Sequence, residues 1–215
     1  FEVTQTVEDD PQISKSKTKR KIAKYRDIHP TNISQKVEII VEHFKQNVMH
    51  KIGGKAKAMV VTSSRESAVK YKIAFEKYIK ENGYEGIKAL VAFTGSVLVE
   101  ELDKEFTEAS MNGFKEEELP RKFATDEYQV LLVADKYQTG FDQPLLHTMY
   151  IDKKLRGVKA VQTLSRLNRT CPGKDDTFIL DFKNDIEDIK ESFSTFYECT
   201  ELVESLDPNL VYDLE

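Results

Sequence analysis

Five short apolar segments, separated by longer stretches with helical spacing, constrain the fold of this chain more than any other feature. Each segment is too short for a helix and rich in β-branched or aromatic residues, which predicts a buried strand. Because alternating strands and helices favour right-handed crossovers, the sequence predicts an α/β fold, a parallel sheet with helices on both faces. The predicted strands are residues 58–62, 89–93, 130–134, 148–151 and 178–182, and the predicted helices include residues 64–82, 158–169 and 184–204.

The chain divides into three predicted parts. Residues 1–33 are rich in Ser, Thr and Lys, so they predict a linker or arm. Residues 34–183 form the α/β domain, which begins with a helix, and residues 184–215 form a carboxy-terminal helical extension. The acid-rich residues 97–127 interrupt the alternation and predict a solvated helical excursion without chemistry.

The charge of the chain limits how it could hold nucleic acid. A formal net charge of −5 argues against binding by bulk charge alone, so any contact must come from a local basic patch. Residues 15–26 form such a patch. A solvated or disordered arm is its simpler interpretation, and a strand-binding or lobe-connecting segment is the alternative.

Composition excludes several other classes of protein. Apolar residues make up 40% of the chain and charged residues 32%, a balance typical of soluble globular domains. No apolar run approaches the roughly 20 residues of a membrane helix, so no membrane partner is expected. The cysteines Cys171 and Cys199 match no metal-ligand spacing, which favours reduced thiols, a cytoplasmic location and no metal site. Because the first residue is Phe1, we expect a fragment of a longer protein.

A polar loop follows the third predicted strand, at residues 135–144. In parallel sheets, ligands bind at the carboxyl ends of the strands, which directs attention to this loop. Gly140 lets the backbone approach a ligand, and Asp142 can accept hydrogen bonds from ribose hydroxyls. On its own, the loop is explained more simply as a turn that caps a connection.

Two arginines lie on the helix predicted at residues 158–169. Gln162, Arg166 and Arg169 are spaced by four and three residues, so they share one helical face. Two guanidiniums on one face suit phosphate oxygens, and their mutual repulsion calls for an anion between them. Surface arginines paired with Asp175 and Asp176 are an equally good interpretation of the helix alone.

Taken together, in this order and spacing, these segments resemble a known family. Residues 58–170 are similar to the second motor lobe of superfamily two helicases and translocases. QTLSRLNR at residues 162–169 resembles motif VI, and residues 134–142 resemble motif V. VVTSSR at residues 60–65 resembles motif IV, and FTG at residues 93–95 stands where that lobe has a strand-contacting loop.

A narrower resemblance comes from the amino-acid sequences of two motifs. VADKYQTGFDQP at residues 133–144, followed by QTLSRLNR, resembles the motor (R) subunit of type I restriction enzymes. The resemblance implies a RecA-like lobe in a protein that hydrolyses ATP, translocates double-stranded DNA and cleaves it at a distance. The implied partners are the first motor lobe of the same chain and the modification and specificity subunits. ATP and Mg²⁺ would be held mainly by the first lobe.

The resemblance also implies roles for particular residues. Arg166 and Arg169 would act in catalysis by reaching the γ-phosphate, and Gln162 would help to hold them. Gly140 and Asp142 would line the nucleotide. The residues expected to meet the DNA backbone are Ser63, Arg65, Thr94 and Thr139.

Some positions depart from the family pattern. Ser165 stands where many superfamily members have glycine before the arginine. KIGGK at residues 51–55 is not a phosphate loop, because Ala56 follows where Ser or Thr should hold magnesium. We therefore expect this chain alone to be inactive as an ATPase. The alternatives are the second lobe of another superfamily two DNA or RNA helicase, or a non-catalytic nucleic-acid-binding scaffold lobe.

Overall fold

A computed structural model describes residues 28–137 and 141–199 of the chain. Thr139, Gly140 and the basic patch at residues 15–26 lie outside the described residues. Within the described part, none of the helices combines the length and the apolar composition that crossing a bilayer requires.

A five-stranded parallel sheet forms the centre of the domain. Its strands are β1 (Lys57–Thr62), β2 (Ala89–Ala92), β5 (Val130–Val133), β6 (Leu146–Asp152) and β7 (Phe178–Asp181). The strand order is β2-β5-β1-β6-β7, so β1 lies in the middle and pairs in parallel with β5 and β6. Every residue of β1, β2, β5 and β6 is buried, as expected for a parallel sheet covered on both faces.

Helices cover both faces of this sheet, which confirms the predicted α/β class. On one face, Ala58 and Val60 pack against α1 (Pro30–His43) and α3 (Arg65–Glu81). On the other face, Met59 and Val61 pack against three helices, because neighbouring strand residues point to opposite sides. These three helices are α5 (Leu119–Ala124), α6 (Val158–Leu164) and α7 (Ile186–Cys199).

The amino-terminal helix begins earlier than the sequence indicated. The arm was predicted to run to residue 33, but Pro30 is the first residue of α1. Proline suits that position because its fixed φ matches the helix and its missing N–H would have no helical partner there. A π-helical turn (Phe44–Val48) and a short helix α2 (Lys51–Gly54) follow α1 and lead into β1.

The segment predicted as a helical excursion, residues 97–127, is only partly helical. It contains most of an antiparallel hairpin, β3 (Ser96–Val99) and β4 (Lys104–Thr107), in which Val97 pairs with Phe106. Val99 and Phe106 are buried in the core, an alternation that the surrounding acidic residues obscured in the sequence. The short helices α4 (Glu108–Asn112) and α5 complete the segment.

Side chains hydrogen-bond to the backbone along the outer edge of β2, the edge that faces away from β5. The amide of Asn112 accepts a hydrogen bond from the Val91 N–H (3.0 Å) and donates one to the Val91 carbonyl (2.7 Å). The Glu108 carboxylate accepts from the N–H of Phe93 (2.9 Å), and the Lys72 ammonium donates to the carbonyl of Ala89. These side chains therefore take up backbone groups of this edge that another strand would otherwise pair with.

Candidate functional site

The arginine segment is helical only in its first half. After α6, residues Ser165–Asn168 tighten into a 3-10 helix, and Arg169 has an extended backbone with φ −71° and ψ 122°. The prediction of one continuous helix to residue 169 is therefore wrong at its end, and Arg169 does not share an α-helical face with Gln162. Pro172 and Gly173, just beyond, are residues that typically end helices.

The side chains of this segment divide into a buried apolar set and a more exposed polar set. Val161, Leu164 and Leu167 are buried against the sheet. Gln162 and Arg169 are exposed, and Arg166 is half-buried. The apolar residues thus fix the segment while its polar residues face outward.

Both arginines contact the loop that follows β5. The Nε of Arg169 lies 3.2 Å from Oδ1 of Asp142, and the Arg166 guanidinium donates to the carbonyl of Phe141. Burial lowers the pKa of Arg166, the positive charge of Arg169 lowers it further, and Asp142 opposes both effects. In the structure, the Asp142 carboxylate is the anion beside Arg169, and its charge also acts on Arg166.

This cluster lies towards the end of the sheet where β6 begins. Residues 143–145 connect Asp142 to Leu146, the first residue of β6, and the carbonyl of Leu145 accepts from the N–H of Lys57 at the start of β1 (2.8 Å). The rule that ligands bind at the carboxyl ends of parallel strands directed attention to the loop after β5, and the arginines lie at the other end of the sheet. The chain turns back after β6, so α6 carries them to the opposite end.

Lys174 joins the arginine segment to the Asp142 loop. Its ammonium donates to the carbonyls of Leu167 (2.6 Å), Arg169 (2.6 Å) and Pro144 (3.3 Å). These three acceptors match the three protons of an ammonium. Burial lowers the pKa of Lys174, and Cys171 opposes that effect. Sequence reasoning missed this lysine, although a cation shortly after a helix end is a known signal.

Asp176, one of the two carboxylates considered as alternative arginine partners, pairs with other residues. Asp176 pairs with Lys51 (2.7 Å) and His147 (2.8 Å), and these hydrogen bonds, Lys51 first, lower the pKa of the Asp176 carboxyl. Asp176 therefore ties the loop after Arg169 to the segment before β1.

The predicted DNA contacts lie at the other end of the sheet, where β1 and β2 end. Ser63 and Thr94 are exposed there. Arg65 donates to the carbonyls of Thr94 (3.2 Å) and Ser96 (3.0 Å), which joins the two strand ends. The structure thus brings three of the four predicted residues together, and Thr139 lies outside the described residues.

The described residues offer no obvious metal centre. Between residues 28 and 137 and between 141 and 199, no three His, Cys, Asp or Glu side chains are grouped so that they could hold a metal ion.

The chain is similar in sequence to several known proteins. The family model for domain 3 of type I restriction enzyme subunit R matches residues 93–184. The MjaVIIP endonuclease subunit of a Methanocaldococcus jannaschii type I restriction enzyme is 33% identical over 165 residues, which cover 72% of this chain and 15% of that protein. The MjaIXP endonuclease subunit from the same organism is 31% identical over 200 residues, which cover 91% of this chain and 18% of that protein.

Among solved structures, a fragment of an HsdR subunit of a type I restriction enzyme from Vibrio vulnificus is similar with a TM-score of 0.47. It is 15% identical, and the match covers 71% of this chain and 28% of that one. The chain spans less than a fifth of the length of the two curated relatives. By sequence, this chain is a relative of the R (endonuclease) subunits of type I restriction enzymes.

Proposed function

We propose that this chain is the second motor lobe of an ATP-dependent double-stranded DNA translocase, the R subunit of a type I restriction endonuclease. The observation that supports this best is the contact between Arg169 and Asp142, which both lie in the segment similar to subunit R. ATP and Mg²⁺ would be held mainly by the first motor lobe of the full-length protein. The modification and specificity subunits would be its further partners.

The exposure of the arginine cluster suits this role. The side chains of Arg169 and Asp142 are 59% and 69% exposed, so a nucleotide held on a facing lobe could reach both. A γ-phosphate oxygen could replace the Asp142 carboxylate beside Arg169, which leaves the guanidinium with an anionic partner throughout. Asp142, once released, could accept hydrogen bonds from the ribose hydroxyls.

The first test of this proposal is an ATPase measurement on the chain by itself, which should not hydrolyse ATP. Catalysis of phosphoryl transfer needs a phosphate loop and magnesium ligands together with the arginines, and this sequence has only the arginines. Steady-state ATPase assays of the purified chain with DNA should give the rate of buffer alone. Robust turnover would contradict the assignment to a second lobe.

The DNA contacts should be weak and independent of sequence. Ser63 and Thr94 carry short hydroxyl side chains that can bond phosphate oxygens but seldom specify bases. Few charges are involved, so the dependence on salt should be shallow. The logarithm of the DNA-binding constant should fall with the logarithm of the salt concentration with a slope of only about 0.9 for each phosphate neutralised. Titrations of unrelated duplexes at several salt concentrations check this, and a strong preference for one sequence would show that the wrong surface was assigned.

A further inference from the structure

A fully buried carboxylate lies beneath the loops that follow β2 and β5. Glu108, the first residue of α4, has a side chain with no exposed surface. Its Oε2 accepts hydrogen bonds from the Phe93 N–H (2.9 Å) and from the Lys136 ammonium (2.8 Å). Its Oε1 has no hydrogen-bond partner among the described residues. Buried charges are costly, so a carboxylate kept here needs a reason beyond filling space.

Among the described residues, Lys136 is the only cationic residue bonded to the Glu108 carboxylate. Its ammonium also bonds Glu116 at 2.8 Å, and its side chain is 18% exposed. Burial lowers the pKa of Lys136, but its hydrogen bonds to Glu108 and Glu116 outweigh that effect and raise it. The lysine is therefore charged and anchored at neutral pH.

The backbone around Lys136 is strained. Asp135 and Tyr137, on either side of it, have φ angles of 58° and 61°, a left-handed region that residues other than glycine rarely adopt. The Lys136 N–H bonds the carbonyl of Ala134 at 2.7 Å, which closes a tight turn at the end of β5. Strained backbone of this kind persists only where the surrounding contacts hold it, and it is common in switching segments.

Glu108 thus contacts two loops with different proposed partners. Through Phe93 it holds the start of the loop that contains Thr94, a candidate DNA contact. Through Lys136 it holds the start of the loop that leads to Asp142, a candidate nucleotide contact. A movement of either loop changes the geometry around one shared carboxylate.

We propose that Glu108 and Lys136 are positioning residues that couple DNA contact at the loop after β2 to the nucleotide-binding loop after β5. The inference rests on the proposed function of the lobe. Glu116, the more exposed partner of Lys136, assists without reaching the Phe93 backbone.

The test is a coupling measurement on the full-length protein. ATP affinity and ATP turnover are measured with and without a non-specific duplex, for wild type and for Glu108→Gln. Glutamine keeps an acceptor for the Phe93 N–H but removes the charge that holds Lys136. We expect DNA-free turnover and DNA-free ATP affinity to stay within about twofold, while the stimulation by DNA falls roughly tenfold, within the usual range of coupling between sites.

Further variants separate coupling from stability. Lys136→Met should lose the stimulation and Lys136→Arg should retain most of it, because arginine keeps the charge. The double variant Glu108→Gln/Lys136→Met should be no worse than either single one, because both act through one contact. If Glu108→Gln does not fold, this double variant, which leaves no unpaired charge on either residue, gives the same readout.

Lys70 provides a matched control, because its side chain is 10% exposed and bonds two carboxylates, those of Glu66 and Glu101, as Lys136 does. Lys70→Met should leave stimulation unchanged. Wild-type stimulation in Glu108→Gln or in the double variant would overturn the coupling. So would a loss of stimulation that only parallels a loss of folded protein on thermal melting. If wild type itself shows no ATP turnover, it is instead the proposed function that fails.

Discussion

Replacing Arg169 by alanine is expected to lower ATP turnover of the full-length protein by about 10³- to 10⁵-fold, the range seen for arginines that stabilise phosphoryl transfer. ATP binding should be largely retained. A guanidinium gains most when charge builds on the phosphate oxygens, so its contribution is larger in the transition state than in the bound ground state. DNA translocation should be lost together with turnover.

The measurement is ATP turnover beside equilibrium nucleotide binding. Arg169→Lys should not restore activity, because an ammonium lacks the planar fork of the guanidinium. Arg166→Ala should also be severe and should weaken ATP binding if Arg166 touches the ground-state phosphate. Arg121, which is 79% exposed and pairs with Glu118, provides a matched control that should behave like wild type. Near wild-type turnover in Arg169→Ala would mean that the pair is only surface charge, as in a scaffold lobe.

Replacing Lys174 by methionine is expected to lower turnover by about 10²-fold, because displacements near 1 Å can cost that much in a positioned reaction. The Lys174 ammonium donates hydrogen bonds to the carbonyls of Leu167 and Arg169, and these bonds fix the backbone that carries the Arg169 side chain. Methionine keeps much of the volume but donates no hydrogen bond. The effect should appear in kcat more than in ATP affinity, because the ground state depends less on this arginine.

A control for Lys174 is Lys77→Met, which removes a 71% exposed lysine paired with Glu81. Thermal unfolding of both variants distinguishes a local effect from a global one. Unchanged turnover in Lys174→Met would show that the Arg169 backbone is held by other contacts. A fall in turnover explained entirely by unfolded protein would argue equally against a positioning role.

The sheet and the helices that cover it could be predicted from the sequence because their signals are local. A buried strand such as β1 needs only a short apolar run, and the amphipathic spacing of α3 is visible within a few turns. The arginine segment was harder, because the helix tightens after Leu164 at a point that no single residue preference marks, while Leu167 stays buried.

The residues that sequence reasoning missed depend on distant partners. Lys174 acquires its role from the carbonyl of Pro144, and Glu108 acquires its role from Phe93 and Lys136. Nothing near Glu108 in the sequence distinguishes it from the exposed acidic residues around it. It comes directly after the hairpin β3–β4, which the acidic composition had concealed.

The closed edge of β2 limits how this domain can assemble. Asn112, Glu108 and Lys72 take the hydrogen bonds that an incoming strand would need, so that border of the sheet has no free template for β-augmentation. The opposite border is β7, which in the described residues pairs only with β6. A neighbouring domain or subunit that extends the sheet must therefore approach beside β7, and contacts on the β2 side must be made between side chains.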